Sequence, residues 1–147
     1  MQAQLAGGIA IPLFEIKPIS AQDTVDIRHR VMWPDLPKTD MIVQGDLTAV
    51  HFGAFHDGHL VGVGSFFQEA QSYRLRKLAV EPEFQGKGAA GQLLSVAVQH
   101  LKRQGCTKIW CDARVFASAF YTRNGFQLGT KVFQKKGLDY VLATRDL

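Results

Sequence analysis

Cysteine is scarce in this chain of 147 residues. Only Cys106 and Cys111 occur, and their spacing matches neither C-x-x-C nor another metal-binding or redox pattern. The five histidines show no metal-ligand spacing either, so no metal site is predicted. Two isolated cysteines are typical of reduced thiols in an intracellular protein, and we expect the chain to be cytoplasmic.

Long apolar runs and a charged leader are also missing. No apolar stretch approaches the roughly 18 residues of a membrane span, and "MQAQLAGGIAIP" has no basic residue before its short apolar patch. We therefore expect neither a membrane anchor nor a secretory signal. Hydrophobic residues make up 46% of the chain and charged residues 20%, which is typical of one globular domain over residues 1–147.

The net charge of +4 favours a polyanionic partner. That partner could be nucleic acid or a phosphate-bearing cofactor, and composition does not choose between them. The lysines and arginines do not cluster in one run, and no nucleic-acid recognition motif is present. No specific binding to nucleic acid is therefore predicted.

Hydrophobic periodicity and turn residues predict a mixed α/β chain in the order β-α-loop-β-β-β-α-β-α-β-β. An S-x-x-D capping pattern at Ser20 opens a helix through about Met32, and the prolines of "WPDLP" end it. Asp57-Gly58 is typical of the tight turn of a hairpin. The other predicted elements are strands at 13–19, 73–80, 108–113, 126–134 and 138–146, a long helix at 90–101 and a brief helix at 116–124.

The stretch "FQGKGAAGQLL" contains a G-x-G-x-x-G match that starts at Gly86, and Asp112 follows at a distance suited to a ribose contact. Two observations argue against a dinucleotide site. The five residues "EPEFQ" separate the preceding strand from Gly86, whereas the dinucleotide turn follows its strand directly. The motif also follows a hairpin rather than opening a parallel sheet. A P-loop is excluded because Lys87 precedes glycine instead of Ser or Thr.

Gln85, Gly88 and Ala90 form the alternative pattern Gln-x-x-Gly-x-Ala. Successive backbone N–H groups in a glycine-rich turn at a helix N-terminus can bind a pyrophosphate, and glycine lets the backbone approach it closely. With the preceding "LAVEP", this segment resembles the central motif of the GNAT N-acetyltransferase superfamily. The resemblance implies acetyl-CoA as co-substrate, bound by Leu78, Ala79, Val80, Gln85, Gly86, Lys87, Gly88, Ala89 and Ala90.

A second phrase, "FYTRNGF", is similar to the family's tyrosine followed four residues later by Gly-Phe. The resemblance places Tyr121 near the sulfur of CoA as the general acid for the leaving thiolate. A phenol, whose ordinary pKa is about 10, is protonated at neutral pH and can donate to a thiolate. The alternative interpretation is an aromatic residue packed in the core beside Phe120.

The chain departs from the family pattern at two places. Arg114 stands where many members have asparagine, and the strand at 73–80 has Arg74 and Arg76 where members often have a glutamate or histidine base. Arginine cannot act as a base. The amine could therefore lose its proton to water, or to Glu69, Asp112 or a histidine.

The acceptor side is harder to assign from the sequence. Arg74 and Arg76 share one strand face, which is either solvated or binds a carboxylate or phosphate of the acceptor. Trp33 lies in the segment from which the family builds its acceptor pocket. These three residues are the candidate acceptor site.

The resemblance implies a GNAT fold, with a mixed, mostly antiparallel sheet of six to seven strands flanked by three to four helices. It also implies N-acetyl transfer by direct attack of a small-molecule or peptide primary amine. Two alternatives stay open: a non-catalytic acyl-CoA sensor, and an acyl intermediate on Cys111, which has no histidine neighbour in sequence. Homodimerisation, which is frequent in the family, is also left open.

Overall fold

The computed structural model describes residues 2–4 and 10–147, with side chains described from residue 13 onward. Strands β1 (Gln2–Gln4) and β2 (Ala10–Pro12) form a small antiparallel pair. No helix in the described part of the chain is long and apolar enough to cross a membrane.

The remaining strands form one eight-stranded sheet in the order β3-β4-β5-β6-β7-β10-β8, with β9 paired to β10. The strands are β3 (Glu15–Ile19), β4 (Val50–His56), β5 (His59–Glu69), β6 (Ser72–Val80), β7 (Lys108–Arg114), β8 (Gln127–Leu128), β9 (Phe133–Lys135) and β10 (Leu138–Asp146). Every pairing in it is antiparallel except that of β6 with β7. The predicted mostly antiparallel mixed sheet is therefore confirmed.

Two details of the sheet correct or refine the prediction. The segment 126–134, predicted as one strand, forms two short strands on β10, which brings the count to eight rather than six or seven. The chain leaves the ladder after Gly129, a residue that weakens a strand because it has no side chain to pack. The predicted hairpin is confirmed, since Asp57 and Gly58 adopt φ values of +49° and +81° between β4 and β5.

The first helical segment starts as predicted but is not uniform. Ser20 and Asp23 exchange the two hydrogen bonds of a capping box, at 3.0 and 3.2 Å. The chain then passes through a 3₁₀ turn (Gln22–Thr24), helix α1 (Val25–Ile27) and a π-helical turn (Arg28–Met32). The predicted helical span to about Met32 is confirmed, but its hydrogen-bond pattern changes along the segment, which apolar spacing does not reveal.

Helix α2 (Ala89–Arg103) covers one face of the sheet. Its buried side chains recur at helical spacing: Ala89, Leu93, Leu94, Ala97, Val98 and Leu101. Gly105 ends it at φ +89°, with the N–H of Cys106 donating to the Leu101 carbonyl at 3.0 Å. Helix α3 (Ser118–Arg123) ends in the same way at Gly125, so both predicted glycine stops are confirmed.

A buried polar network joins the first helical segment to the sheet. The Arg28 side chain is 0% exposed and donates to both carboxylate oxygens of Asp46, at 2.7 and 3.0 Å. It also donates to the Met41 carbonyl and to Ser65 on β5, both at 2.9 Å. His51 on β4 contacts Ser65 and the Asp46 carbonyl, both at 2.7 Å.

The charge of Asp46 is retained inside this network. Burial alone would raise the pKa of Asp46, but the hydrogen bonds from Arg28 and from the Val43 N–H outweigh burial and hold the pKa below its ordinary value. The Asp46 carboxylate and the Arg28 guanidinium match as a bidentate pair. This pair holds the segment 33–46 against the sheet.

We expect Arg28→Met to lower the free energy of unfolding by about 3–5 kcal/mol, since it leaves the Asp46 charge buried without a partner. Urea denaturation measures the loss. Lys38→Met is the matched control, because the Lys38–Asp26 pair is 59% and 61% exposed. That variant should lose less than about 1 kcal/mol. Similar losses of unfolding free energy in the two variants would show that the buried pair contributes no more stability than the exposed pair.

Candidate active site

The candidate site lies where β6 and β7 separate. The two parallel strands pair over only three positions, Ser72–Arg74 with Lys108–Trp110. Beyond Arg74, β6 continues on β5, while β7 continues on β10. Within the described part of the chain, the backbone of residues 78–80 therefore has no ladder partner on the β7 side.

A bulge lies in β6 just after the strands separate. The register between β5 and β6 shifts between Val63 and Ser65, and Lys77 adopts φ +58°. A lysine in the left-handed region is strained, because its Cβ crowds the backbone. The bulge bends β6 away from β7 and turns the Lys77 side chain into the gap.

The gap is a cavity of about 560 Å³. Its walls come from the end of the first helical segment, β6, β7, α3 and the β9–β10 hairpin. Five of the predicted site residues line it: Trp33, Arg74, Arg76, Leu78 and Tyr121. Ala79 and Val80 continue β6 beyond it and are buried, and the loop 85–90 follows at the start of α2.

Tyr121 lies at the inner wall, among aromatic rings. Its ring packs edge-on against Phe120 and Phe126, with centroids 5.1 and 5.4 Å apart. Its side chain interacts with Cys111, which also lines the cavity. Tyr121 therefore packs in the core beside Phe120, as the alternative interpretation predicted, and it also borders the cavity.

Burial governs the ionisation of this pair. Burial, followed by the neighbouring Cys111, raises the pKa of Tyr121 far above its ordinary value. Burial likewise raises the pKa of Cys111 to about 12, although the hydrogen bond with Tyr121 partly opposes it. At neutral pH both groups are protonated, so Tyr121 has a proton to donate and Cys111 is not a thiolate.

Asp112, the one acidic side chain among the described residues in the wall of this cavity, is already engaged. Its Oδ2 accepts hydrogen bonds from Arg74 at 3.0 Å and from Lys135 at 2.8 Å. Arg74 also lies over the Trp110 ring, 4.8 Å from its centroid. Glu69, the other carboxylate considered as a base, accepts from Trp110 Nε1 at 2.9 Å.

Among the described residues, no histidine lines the gap between β6 and β7, and no cluster of side chains could hold a metal ion. Of the residues that the structure describes, no histidine lines this cavity or the neighbouring one, which Arg74 and Arg76 also border. Among the described residues, no group of three or more His, Cys, Asp or Glu side chains is arranged to hold a metal ion. The described walls of these cavities therefore offer no histidine to serve as the base.

The glycine loop at the start of α2 has the conformation expected of an anion-binding turn. Gly86 and Gly88 adopt φ values of +74° and +92°, and Gly88 immediately precedes the first residue of the helix. No described atom lies within 4 Å of the position that a Cβ on Gly86 would occupy, so the loop is open there. Gln85 Nε2 donates to the Val80 carbonyl at 2.9 Å and closes the loop onto β6. These features fit a pyrophosphate at the loop.

Comparison with known proteins agrees with this geometry. The family model for the acetyltransferase (GNAT) family matches residues 19–126. The chain belongs to the GNAT acetyltransferase family. As a GNAT protein it is an acetyl-CoA-dependent acyltransferase, with coenzyme A as the carrier of the acyl group.

Individual relatives are consistent with the assignment. The chain is 31% identical over 124 residues to the uncharacterized N-acetyltransferase YitI of Bacillus subtilis, covering 78% of this chain and 83% of YitI. It shares its fold with the ribosomal-protein-S18-alanine N-acetyltransferase of Escherichia coli, at 16% identity and a TM-score of 0.78 over 91% of this chain and 94% of that one. A GNAT acetyltransferase of Elizabethkingia anophelis with acetyl-CoA bound has 18% identity and a TM-score of 0.71, covering 91% and 98% of the two chains.

Sequence reasoning missed three features of the GNAT site. It did not foresee the Lys77 bulge, the interaction between Cys111 and Tyr121, or the entry of Lys135 from the β9–β10 hairpin. Only the second had a usable signal, since Cys111 occupies an alternating position on a strand that precedes the Tyr121 helix. The other two depend on strand pairings that are distant in sequence.

The glycine loop can be tested without disturbing the cleft. We expect Gly86→Ala to weaken CoA binding at least tenfold, because alanine at positive φ costs about 1–2 kcal/mol and alters the turn. Isothermal titration with CoA measures this. Gly58→Ala is the matched control, since Gly58 has φ +81° and equally open surroundings in the β4–β5 turn. The control should lose similar stability and keep its CoA affinity; equal affinity losses would contradict a loop-specific role.

Proposed function

We propose that this enzyme transfers an acetyl group from acetyl-CoA directly to a primary amine, with Tyr121 as general acid. The observation that carries the proposal is the position of the Tyr121 hydroxyl, buried in the cavity that β6 and β7 leave between them. The name N-acetyltransferase given to YitI supports nitrogen as the acceptor atom. Bound acetyl-CoA would supply an activated thioester.

The residues of β6 and the glycine loop divide the binding of acetyl-CoA between them. The backbone of Leu78 to Val80, which has no ladder partner on the β7 side within the described residues, would hold the pantetheine arm, as a partner strand would. Its N–H groups are also donors for the thioester carbonyl. The loop of Gln85, Gly86, Lys87, Gly88, Ala89 and Ala90 would bind the pyrophosphate.

Tyr121 would hold the proton that the leaving sulfur needs. Its raised pKa keeps the phenol protonated throughout the neutral and mildly alkaline range. Tyr121 and Leu78 line the same cavity, so a thioester held at Leu78 would release its thiolate into the space that Tyr121 borders. This role requires only that the phenol carry a proton that it can donate to the sulfur, and it does not require a low pKa for free tyrosine.

A strong base is not required if the cavity itself favours the neutral amine. Both candidate carboxylates already accept hydrogen bonds from side chains of the protein, Asp112 from Arg74 and Lys135 and Glu69 from Trp110. Among the described residues, the cavity wall carries Arg74, Arg76, Lys77, Arg114 and Lys135 against Asp112 alone. Neighbouring positive charge lowers the pKa of a bound ammonium, so water can remove the proton.

We expect Tyr121→Phe to lower kcat by about 100-fold or more, as for the loss of a general acid. The KM for acetyl-CoA should change little, because phenylalanine keeps the packing against Phe120 and Phe126. Steady-state assays of thiol release with a panel of amines measure both constants. An unchanged kcat would assign Tyr121 to packing alone, and CoA binding without turnover of any amine would favour the acyl-CoA sensor.

We expect no acetyl-enzyme at Cys111. A thiol with a pKa of about 12 is almost wholly protonated at neutral pH, and none of the described histidines lines the cavity to activate it. Intact-mass spectrometry of the enzyme after brief mixing with acetyl-CoA should show the unmodified mass. An acetyl adduct that disappears in Cys111→Ala, together with the activity, would replace direct attack by a two-step mechanism.

A further inference from the structure

The cavity wall contains cations that the protein leaves without an acidic partner. Arg74 and Lys135 share Asp112, but Arg76, Lys77 and Arg114 form no ion pair within residues 13–147. Arg76 lies over the Phe67 ring, 5.7 Å from its centroid, and Arg114 lies over the Phe116 and Tyr140 rings. Half-buried cations that lie close together repel one another, and an anionic ligand would offset that repulsion.

Repulsion between these cations contributes to the lowered pKa values of Arg76 and Lys77. Burial, followed by repulsion from Arg74 and Arg28, lowers the pKa of Arg76. Burial, followed by repulsion from Arg76 and Arg28, lowers the pKa of Lys77. An anion placed between these side chains would offset the repulsion at both residues.

The phosphates of CoA are poorly placed to be that anion. Arg76 lies four residues before Val80, where β6 ends, and the glycine loop begins only after a further turn. At about 3.3 Å per residue, this puts the Arg76 backbone about 13 Å along the strand from its loop end. The pyrophosphate loop and the cationic wall are thus at opposite ends of the free edge of β6.

A second cavity reaches Arg76 from the other side. It has a volume of about 590 Å³ and is bordered by the segment at Gln44–Ala49, by Phe67 to Ala70 on β5 and the following turn, and by Arg74 and Arg76. These two arginines therefore stand between the two cavities, and Arg74 is already committed to Asp112. Arg76 is the cation that an acceptor entering from the second cavity would meet unpaired.

From this arrangement we infer that the amine acceptor is a small molecule with an anionic oxygen group, a carboxylate or a phosphate, which Arg76 binds with help from Lys77. The inference rests on the proposed amine acetylation, whose acceptor it specifies. Volumes of this size suit a small ligand rather than a folded protein surface. A guanidinium presents two parallel N–H donors to such a group, whereas Lys77 adds a point charge.

Matched pairs of amines test the inference during turnover. We would compare phenylalanine with phenylalaninamide, and phosphoethanolamine with ethanolamine, in thiol-release assays. The wild-type enzyme should prefer at least one anionic member, and Arg76→Gln should raise the KM for it about 10- to 100-fold while the KM for acetyl-CoA is unchanged. The comparison of phenylalanine with phenylalaninamide tests a carboxylate, and that of phosphoethanolamine with ethanolamine tests a phosphate.

Two further variants separate charge from folding. Arg76→Lys should recover part of the affinity for the anionic amine, because it restores the charge without the fork of donors. Arg103→Gln is the matched control, since Arg103 is exposed in the last turn of α2, and it should match the wild type with every amine. Preference for the uncharged members, with Arg76→Gln unchanged, would overturn the inference and leave N-acetylation standing.

A binding measurement decides the matter even without turnover. With CoA saturating, so that the glycine loop is occupied, inorganic phosphate and N-acetylphenylalanine are titrated calorimetrically into wild type and Arg76→Gln. Binding of either probe to the wild type and its loss in the variant supports an anion site at Arg76. No binding of either probe, or equal binding in both proteins, contradicts it. Absence of turnover with every amine would instead count against the proposed acetylation.

Discussion

The site exists because β6 can hydrogen-bond to β7 over only three positions. A parallel pair requires strands that keep a common direction, and the bulge at Lys77 bends β6 while β7 follows β10. The separation leaves backbone donors and acceptors exposed in the middle of a sheet, where they would normally be paired. A ligand that completes the ladder is the natural partner for such an edge. Cavity, free backbone and access to Tyr121 all follow from this one interruption.

The opposite wall of the cleft depends on the buried Arg28–Asp46 pair. The π-helical turn and the loop after it carry Val31, Met32 and Trp33 to the cavity, yet this stretch has little regular structure of its own. Arg28 supplies the missing order by joining Asp46, the Met41 carbonyl and Ser65 on β5 in one network. A buried ion pair contributes little net stability relative to apolar packing, but it fixes geometry strongly. Here it sets where the wall that carries Val31, Met32 and Trp33 lies relative to β6.

Local features of the chain were predictable, and long-range ones were not. The capping box at Ser20, the Asp57-Gly58 turn and the glycine stop at Gly105 depend on residues within a few positions of one another, and each was identified. The pairing of β6 with β7, the bulge at Lys77 and the reach of Lys135 to Asp112 depend on contacts between distant segments, which periodicity does not encode. Arg74 and Arg76 illustrate the division. The sequence shows that they share a strand face. Only the fold shows that Asp112 pairs with Arg74, whereas Arg76 forms no ion pair within residues 13–147.

The charges of the cleft connect binding to chemistry. Backbone N–H groups of the glycine loop suit the phosphates of CoA, and the cationic wall lies at the other end of β6. The same positive potential that would attract an anionic group on the acceptor disfavours a protonated amine beside it. An acceptor whose anion is held at Arg76 would therefore be oriented by that arginine, while the remaining cations of the wall would still disfavour a protonated amine. In the proposed mechanism Tyr121, which is buried and protonated, would complete the arrangement as the proton donor to the leaving sulfur. On this view the arginines replace the carboxylate base of other members by changing the acidity of the substrate rather than by accepting its proton.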